Sequence, residues 1–541
     1  MALIETNLNV RGEAFTLCRQ AMLDILKRLR TIEHDTREVS NAAGPRFRKR
    51  GQLLPSERLA LLLDRDAPFL ALCTLAGYRQ GRLRADGREV AGGGLIAGIG
   101  SVSGVRCMVC VSDSGIDAGA FQPQGLEKLL RVQEIALENK LPFLQLVESA
   151  GANLLNYRVE NFVNGGQKFR NLARLSAAGL PVVTVTHGPS TAGGAYQTGL
   201  SDYIVMVRGR SRAFLAGPSL LKAATGEVAT EEELGGAEMH ARISGLADYM
   251  AEDDREALRI AREIVASLDW NRHLHTTRRQ PIKPPRYDAE ELLGVMPQDH
   301  RQPVDMREVI ARIVDGSEWR EFGSLYGSAT ICGHAVIQGH AVGIITNNGP
   351  IEPNGAAKAT HFIQACCQSG TPLLYLNNIT GFMVGRVFEE AGSIKHGSKM
   401  IQAITNATVP QITLFCGASF GAGNYAMCGR GFMPRFCFSW PNAKTAVMGA
   451  EQAAQTMISV HRNAMLRKTG SVDEDRLVSM GEQVRSNFER QMDVFTTSAM
   501  LLDDGVIDPR DTRAVIAQVL DICEEAALRQ TRTMQFGVAR P

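Results

Sequence analysis

Residues 181–196 read PVVTVTHGPSTAGGAY and residues 410–425 read PQITLFCGASFGAGNY, and the relation between the two decides the fold. At an offset of 229, Pro181 falls on Pro410, Gly188 on Gly417, Ser190 on Ser419, Gly194 on Gly423 and Tyr196 on Tyr425. Upstream, Pro142 in LPFLQLVESAGAN matches Pro372 in TPLLYLNNITGF at an offset of 230. A nearly constant offset over separate stretches marks an internal duplication, so the chain is built from two related halves.

Each copy has a short apolar run of β-forming residues (182–185 and 412–415), then small residues in a turn, then a helix start. Glycine lets backbone approach a ligand closely, and the first turn of a helix carries N–H groups without intrahelical acceptors. Such a turn is a ready-made oxyanion hole. Taken singly, Gly193, Gly194, Gly421 and Gly423 could serve only a tight strand-to-helix connection. Recurrence at matching depth in both halves favours the functional reading.

A chain of 541 residues, 44% hydrophobic and 21% charged, can bury large cores and points to two or more domains. The formal net charge of +2 gives no reason to expect a nucleic-acid or membrane partner. No apolar run is long enough to span a bilayer, and MALIETNLNVRGEAF has neither the basic start nor the apolar core of a signal peptide. A cytoplasmic location is therefore expected. The eleven cysteines are scattered and odd in number, as for reduced core thiols; the pair Cys107 and Cys110 lies in VRCMVCV, where strand alternation separates them, so no metal is expected on this chain.

Along the chain, residues 13–40 carry apolar positions at helical spacing, and Arg46, Arg48, Lys49 and Arg50 follow as a basic cluster read as a solvated face. The stretch 92–113 predicts paired strands with tight turns, followed by a helix over 124–139, a buried strand over 144–148, a helix over 167–178 and a strand over 182–185. Such alternation predicts an α/β half with helices covering a sheet. Residues 271–300 are rich in proline and charge and read as an interdomain linker, giving domains 1–275 and 276–541. The second half repeats the pattern: helix 306–314, a β-rich stretch 323–346, helix 356–369, strand 373–377, helix 393–406, and then a mostly helical tail from 451.

The segments TAGGA (191–195), FLAGPSLLKAATGE (214–227), ELGGAEMHARISGLADYMAEDD (233–254), NNITGFMVGR (377–386), KHGSKM (395–400), FGAGNY (420–425) and WPNAKTAVMGAEQAA (440–454) together resemble the carboxyltransferase β subunit of biotin-dependent acyl-CoA carboxylases. Within that family the chain is most similar to the geranyl-CoA and methylcrotonyl-CoA carboxylase branch. The resemblance implies a tandem of two crotonase-like domains, the first on the acyl-CoA side and the second on the biotin side. It also implies a hexameric core of this chain in an α6β6 assembly, with carboxybiotin arriving on a biotinylated α subunit that carries the biotin carboxylase and carrier domains. No Ala-Met-Lys-Met motif and no glycine-rich ATP loop occurs here, in keeping with that division of labour.

The implied chemistry needs no acid–base triad, because the ureido nitrogen left when carboxybiotin releases CO2 can act as the base. The protein places two substrates and stabilises two oxyanions. By the resemblance, the two halves of different subunits face each other; the amides of Gly193 and Gly194, with Ala192 beside them, hold the thioester oxygen, and those of Ala422 and Gly423 of the facing subunit, with Phe420 and Gly421, hold the biotin oxygen. For an enoyl thioester, loss of a γ proton gives a dienolate whose charge still reaches the same hole. In NFVNGGQKF (161–169), Gly165 and Gly166 stand where methylcrotonyl-type members carry a bulky aromatic. The room so opened favours a geranyl-like tail, with Phe162 and Phe169 as further lining. Two departures from the family are Asp117, where a lysine is usual, and the looser segment before Lys358. A crotonase-type hydratase or isomerase with Glu148 as base, a decarboxylase subunit running the transfer in reverse, and a non-catalytic assembly subunit stand as alternatives.

Overall fold

The computed structural model describes residues 2–80, 89–120, 122–151, 158–274 and 279–539. The chain divides into two compact units, one of Arg30–Thr276, Ala499–Leu501 and Asp521–Pro541, the other of Met1–Leu29, Thr277–Ser498 and Leu502–Leu520.

The first unit holds an eight-stranded sheet among the described residues. Its strands are β1 (Leu70–Ala71), β2 (Leu95–Val102), β3 (Val105–Ser112), β4 (Phe143–Ser149), β5 (Val182–Thr191), β6 (Tyr203–Val207), β7 (Arg212–Phe214) and β8 (Tyr249–Ala251). The order is β1-β2-β3-β4-β5-β6-β8, antiparallel as far as β3 and parallel beyond it. β2 and β3 form a hairpin whose two turn residues, Ser103 and Gly104, have φ of 50° and 77°, which matches the twist of the strands. β4 and β5 are buried along nearly their whole length, as parallel strands covered on both faces should be. Val109, Val111, Leu144, Leu146, Val183, Val185 and Val205 make the core, closed by Leu258 and Val265 of the helix Asp254–Ser267.

The second unit repeats the plan in β9 (Glu318–Phe322), β10 (Thr330–Ile337), β11 (His340–Asn347), β12 (Leu373–Ile379), β13 (Gln411–Phe420), β14 (Phe436–Ser439) and β15 (Lys444–Ala446). The duplication reaches the level of register. Between β4 and β5 the pairing slips between Val147 and Ser149, and between β12 and β13 it slips between Asn377 and Ile379, the same place in each copy. Past that slip, β5 pairs its last residues with β7 and β13 pairs its last residues with β15. Two mixed α/β crotonase-like domains related by duplication result.

A plain cut at 275/276 is modified at the termini. Ala2–Leu3 pairs with β9, and Thr6 Oγ1 donates to Glu308 Oε2 at 2.6 Å, which binds the N-terminal stretch to the second-half sheet. At the other end, Met534 N donates to Ala177 O at 2.7 Å in the first-half unit. The expected linker 271–300 is also only partly a linker. Ala289–Glu291 and Leu292–Val295 are helical, with Leu292, Leu293 and Val295 buried, because the apolar LLGVM run finds a core to enter.

Candidate active site

Both strands that the sequence singled out end in a turn and a short helix. In the first half, Ala192 caps the helix Gly193–Gly199; in the second, Phe420 caps the helix Gly421–Ala426. Ala192 and Gly421, equivalent at the offset of 229, share a left-handed φ, 50° and 56° respectively. For Ala192 this conformation is strained, and a hydrogen bond from its N–H to Phe214 O at 3.0 Å on β7 helps to hold it. Gly193 and Gly194 on one side, and Ala422 and Gly423 on the other, lie in first turns, where N–H groups have no intrahelical acceptor.

Close approach explains the buried glycine of each turn. A Cβ on Gly194 would stand 3.0 Å from Ser190 Oγ and 3.5 Å from Ser149 Cβ; one on Gly423 would stand 2.8 Å from Ile379 Cγ1 and 3.0 Å from Gly381 Cα. Ser149 and Ile379 are themselves equivalents, so each turn is pressed against the end of the preceding parallel strand. Tyr196 and Tyr425 are both exposed beside their turns.

Around this shared frame the two halves differ in chemistry. In the first, Glu148 at the end of β4 is 6% exposed and takes Arg58 Nη1 at 2.6 Å and Ser114 Oγ at 2.9 Å. Arg58 Nε also donates to Asp254 Oδ2 at 3.0 Å, and Asp254 Oδ1 meets His187 Nδ1 at 3.0 Å. Burial, and then the Arg58 charge, push His187 below its ordinary pKa. Glu148 is thus bound into a buried ion-pair network rather than poised as a base. In the second half the equivalent is Asn378, packed on Gly417 as Glu148 is packed on Gly188. Neutral amides and a hydroxyl surround that turn: Asn424 Nδ2 donates to Ser419 Oγ at 2.8 Å, Ser419 Oγ to Asn377 Oδ1 at 3.2 Å, and Asn377 Nδ2 to Met427 O at 2.9 Å. His300 lies edge-on to Phe420 with ring centroids 5.0 Å apart.

The segment holding Gly165 and Gly166 is neither loop nor turn. The helix Val159–Ala177 runs straight through both, and a Cβ at either would meet no other heavy atom within 4 Å. Phe162, Gly165, Gly166 and Phe169 share one helical face at spacings of three and four. The two glycines therefore leave a gap between two rings. Phe169 closes that face near the first turn, its ring 5.7 Å from that of Tyr196 and its Cζ 3.6 Å from where a Gly193 Cβ would be. Phe162 is 72% exposed at the other end of that face.

Lys168 was not singled out from the sequence. It is 6% exposed, and its Nζ lies 3.1 Å from the position of a Gly193 Cβ. The available signal was a lysine in the buried stripe that continues through Leu172 and Leu175.

Other flagged residues fall outside the turns. Asp117 is exposed on a 3-10 turn with a φ of 46°. Lys358 is buried with Nζ on Gly323 O at 3.2 Å, mirroring Lys128, whose Nζ meets Leu95 O at 2.8 Å. Cys107 and Cys110 are buried in β3, and burial pushes the Cys110 thiol up to about 12, which leaves it inert. No described helix is long and apolar enough to cross a membrane.

Comparisons with known proteins follow the same lines. The family described as carboxyl transferase domain matches residues 46–537. A probable biotin-dependent acyl-coenzyme A carboxylase beta2 subunit of Mycobacterium tuberculosis is 46% identical over 99% of this chain and 100% of its own. The biotin-dependent 3-methylcrotonyl-coenzyme A carboxylase beta1 subunit of the same organism is 44% identical over 92% of this chain and 93% of its own. Among solved structures, the beta subunit of P. aeruginosa geranyl-CoA carboxylase is 52% identical, with a TM-score of 0.93 and full coverage of both chains.

Proposed function

Because this chain belongs to the carboxyl transferase family, we propose that it moves a carboxyl group from carboxybiotin to the γ carbon of a branched unsaturated acyl-CoA, with geranyl-CoA as the favoured substrate. It is the carboxyltransferase component of a biotin-dependent acyl-CoA carboxylase, acting on a CoA thioester and receiving carboxybiotin from a biotinylated α partner. The preference for a long tail rests on the helix face Phe162–Gly165–Gly166–Phe169, whose gap lies between two rings and leads toward Gly193. Relatives named for both geranyl-CoA and methylcrotonyl-CoA leave the tail as the variable to test.

In this mechanism the chain's own groups bind, orient and polarise. Amides of Gly193 and Gly194 receive the thioester oxygen, and those of Ala422 and Gly423 receive the ureido oxygen, each where negative charge grows during transfer. Carboxybiotin supplies the CO2 and, once discharged, a nitrogen able to accept the γ proton. The buried pairing of Glu148 with Arg58 weighs against a hydratase that would need this carboxylate as a base. Exposed apolar side chains such as Val384, Val387 and Ile394 in the second half accord with a multi-subunit β core, proposed here as a hexamer within α6β6; native mass measurement of the complex tests that stoichiometry.

The deciding experiment is ATP-dependent fixation of labelled bicarbonate by this chain with a biotinylated α partner, offered geranyl-CoA, 3-methylcrotonyl-CoA and a saturated short acyl-CoA. Preference for geranyl-CoA is expected. Equal or better use of 3-methylcrotonyl-CoA would sink the tail assignment and leave the carboxyltransferase intact; no fixation despite complex formation would favour a decarboxylase or a hydratase.

A further inference from the structure

The two turns are near copies in backbone but not in what their glycines make room for. At the offset of 229 Gly193 corresponds to Ala422, where the second turn already carries a Cβ. At Gly193 no Cβ is present, and an ammonium group, Lys168 Nζ, lies 3.1 Å from where one would be. Glycine at 193 thus lets a cation come against the backbone of the turn.

We propose that Lys168 is a catalytic residue of the first turn, its ammonium placed to meet the growing negative charge on the CoA thioester oxygen alongside the Gly193 and Gly194 amides. The proposal rests on the reading of this turn as the acyl-CoA oxyanion hole and adds a group to it.

Three observations carry it. First, Lys168 sits at a core position of its helix, in register with Leu172 and Leu175, where an apolar residue would satisfy packing alone. A lysine there carries a desolvation cost that an apolar residue would not. Secondly, its backbone is held, since Gln133 Nε2 donates to the Lys168 carbonyl at 3.2 Å, and the ammonium lies 4.9 Å from the Phe169 ring centroid, a ring that also borders Gly193. Thirdly, the second half lacks the feature. The helix Ser393–Thr405 buries Gly397 and Ile404 at the spacing at which the first-half helix buries Lys168 and Leu175. Among the described residues, the duplicated scaffold therefore buries a lysine at this helix position in the first half only. Burial also lowers the Lys168 pKa to about 8, so the group remains mostly charged at neutral pH while being poorly hydrated, the state in which it interacts most strongly with an oxyanion.

The test uses the full chain in its native assembly and two ligands: coenzyme A, and an S-(2-nitroalkyl) coenzyme A thioether in its nitronate form, whose anionic oxygens stand in for the enolate. Calorimetry is expected to show the nitronate binding wild type more tightly than coenzyme A. In K168M that advantage should fall about 10- to 100-fold, with coenzyme A affinity within about twofold of wild type, and K168R should restore most of it. A merely structural lysine would weaken both ligands together or neither. If K168M does not fold, K168Q takes its place under the same criteria. Retention of the full nitronate advantage in the neutral variants would overturn the role of Lys168 and leave the turn as an oxyanion hole. A wild-type chain that binds the nitronate no better than coenzyme A would overturn the oxyanion-hole reading itself, and the Lys168 inference with it.

Discussion

Gly165 and Gly166 give the sharpest prediction, because the fold has a reason to reject them and the proposed substrate has a reason to keep them. Both lie inside a 19-residue helix, without positive φ and without a neighbour within 4 Å of a would-be Cβ. Glycine in a helix interior is about 1 kcal/mol less favourable than alanine, so the double variant G165A/G166A should stabilise the first unit by about 2 kcal/mol. For a unit of this size that is an upward shift of roughly 4–8 °C in thermal unfolding. The companion variant G166F fills the gap between Phe162 and Phe169. It should cut kcat/KM for geranyl-CoA at least about tenfold while leaving 3-methylcrotonyl-CoA within about threefold, since only the longer tail uses the space. Calorimetric melts and labelled-bicarbonate kinetics read the two effects separately. Loss of stability in G165A/G166A would show that the space is filled in the assembled protein. Equal loss of both substrates in G166F would refute the tail channel.

At the second turn, Gly423→Ala would drive a methyl group to within 3.0 Å of the Gly381 backbone, displacing an amide donor; carboxyl transfer should fall about 100-fold or more, with acyl-CoA affinity unchanged by calorimetry. Glu148→Gln should keep turnover within about tenfold of wild type, whereas loss of 100-fold or more would restore the hydratase reading. Arg58→Ala leaves Glu148 and Asp254 buried without their shared cation and should cost about 3–5 kcal/mol in denaturant unfolding. Lys168 makes a pH prediction with a definite sign: its folded-state pKa of about 8 lies below the ordinary 10.5, so between those values the unfolded chain holds the extra proton and wild-type stability rises with pH. K168M lacks that dependence, so its advantage of up to about 3 kcal/mol at pH 7 should shrink steadily towards pH 10 in parallel unfolding titrations.

What the sequence made legible was whatever repeats. Pro181 and Pro410, Gly188 and Gly417, and Gly194 and Gly423 mark positions where backbone geometry admits few residues, so duplication preserved them and two aligned strings exposed the fold. The helix start before Gly165 was not legible, for a physical reason. Val159, Phe162 and Val163 are exposed, so the first two turns carry no core-facing stripe, and paired glycines read locally as a break. Burial of Lys168, Leu172, Leu175 and Ser176 holds the helix together against its own propensities. The ion-pair network escaped for another reason. Glu148, Arg58, Asp254 and His187 are up to 196 residues apart, and nothing in a string of letters places them together.

Divergence between the copies is as informative as their likeness. A duplicated backbone gives two equivalent sets of turn amides, so what tells the turns apart is the side chains placed around them. The first turn has the cation of Lys168 at Gly193, and a buried network of Glu148, Arg58 and Asp254 at the strand end beneath it. The second has Asn377, Asn378, Ser419 and Asn424, all neutral. The two oxyanions of the proposed transfer make unequal demands. An enolate carries a full charge taken from a weak carbon acid, while a ureido oxygen sheds its charge as soon as its nitrogen takes up the proton. Fixed positive charge helps the first throughout the reaction, yet at the second it would hold the anion and depress the basicity of the nitrogen that must accept the γ proton. Neutral donors are the better surroundings for that turn, and the asymmetry between Lys168 and Gly397 then follows from the chemistry rather than from drift.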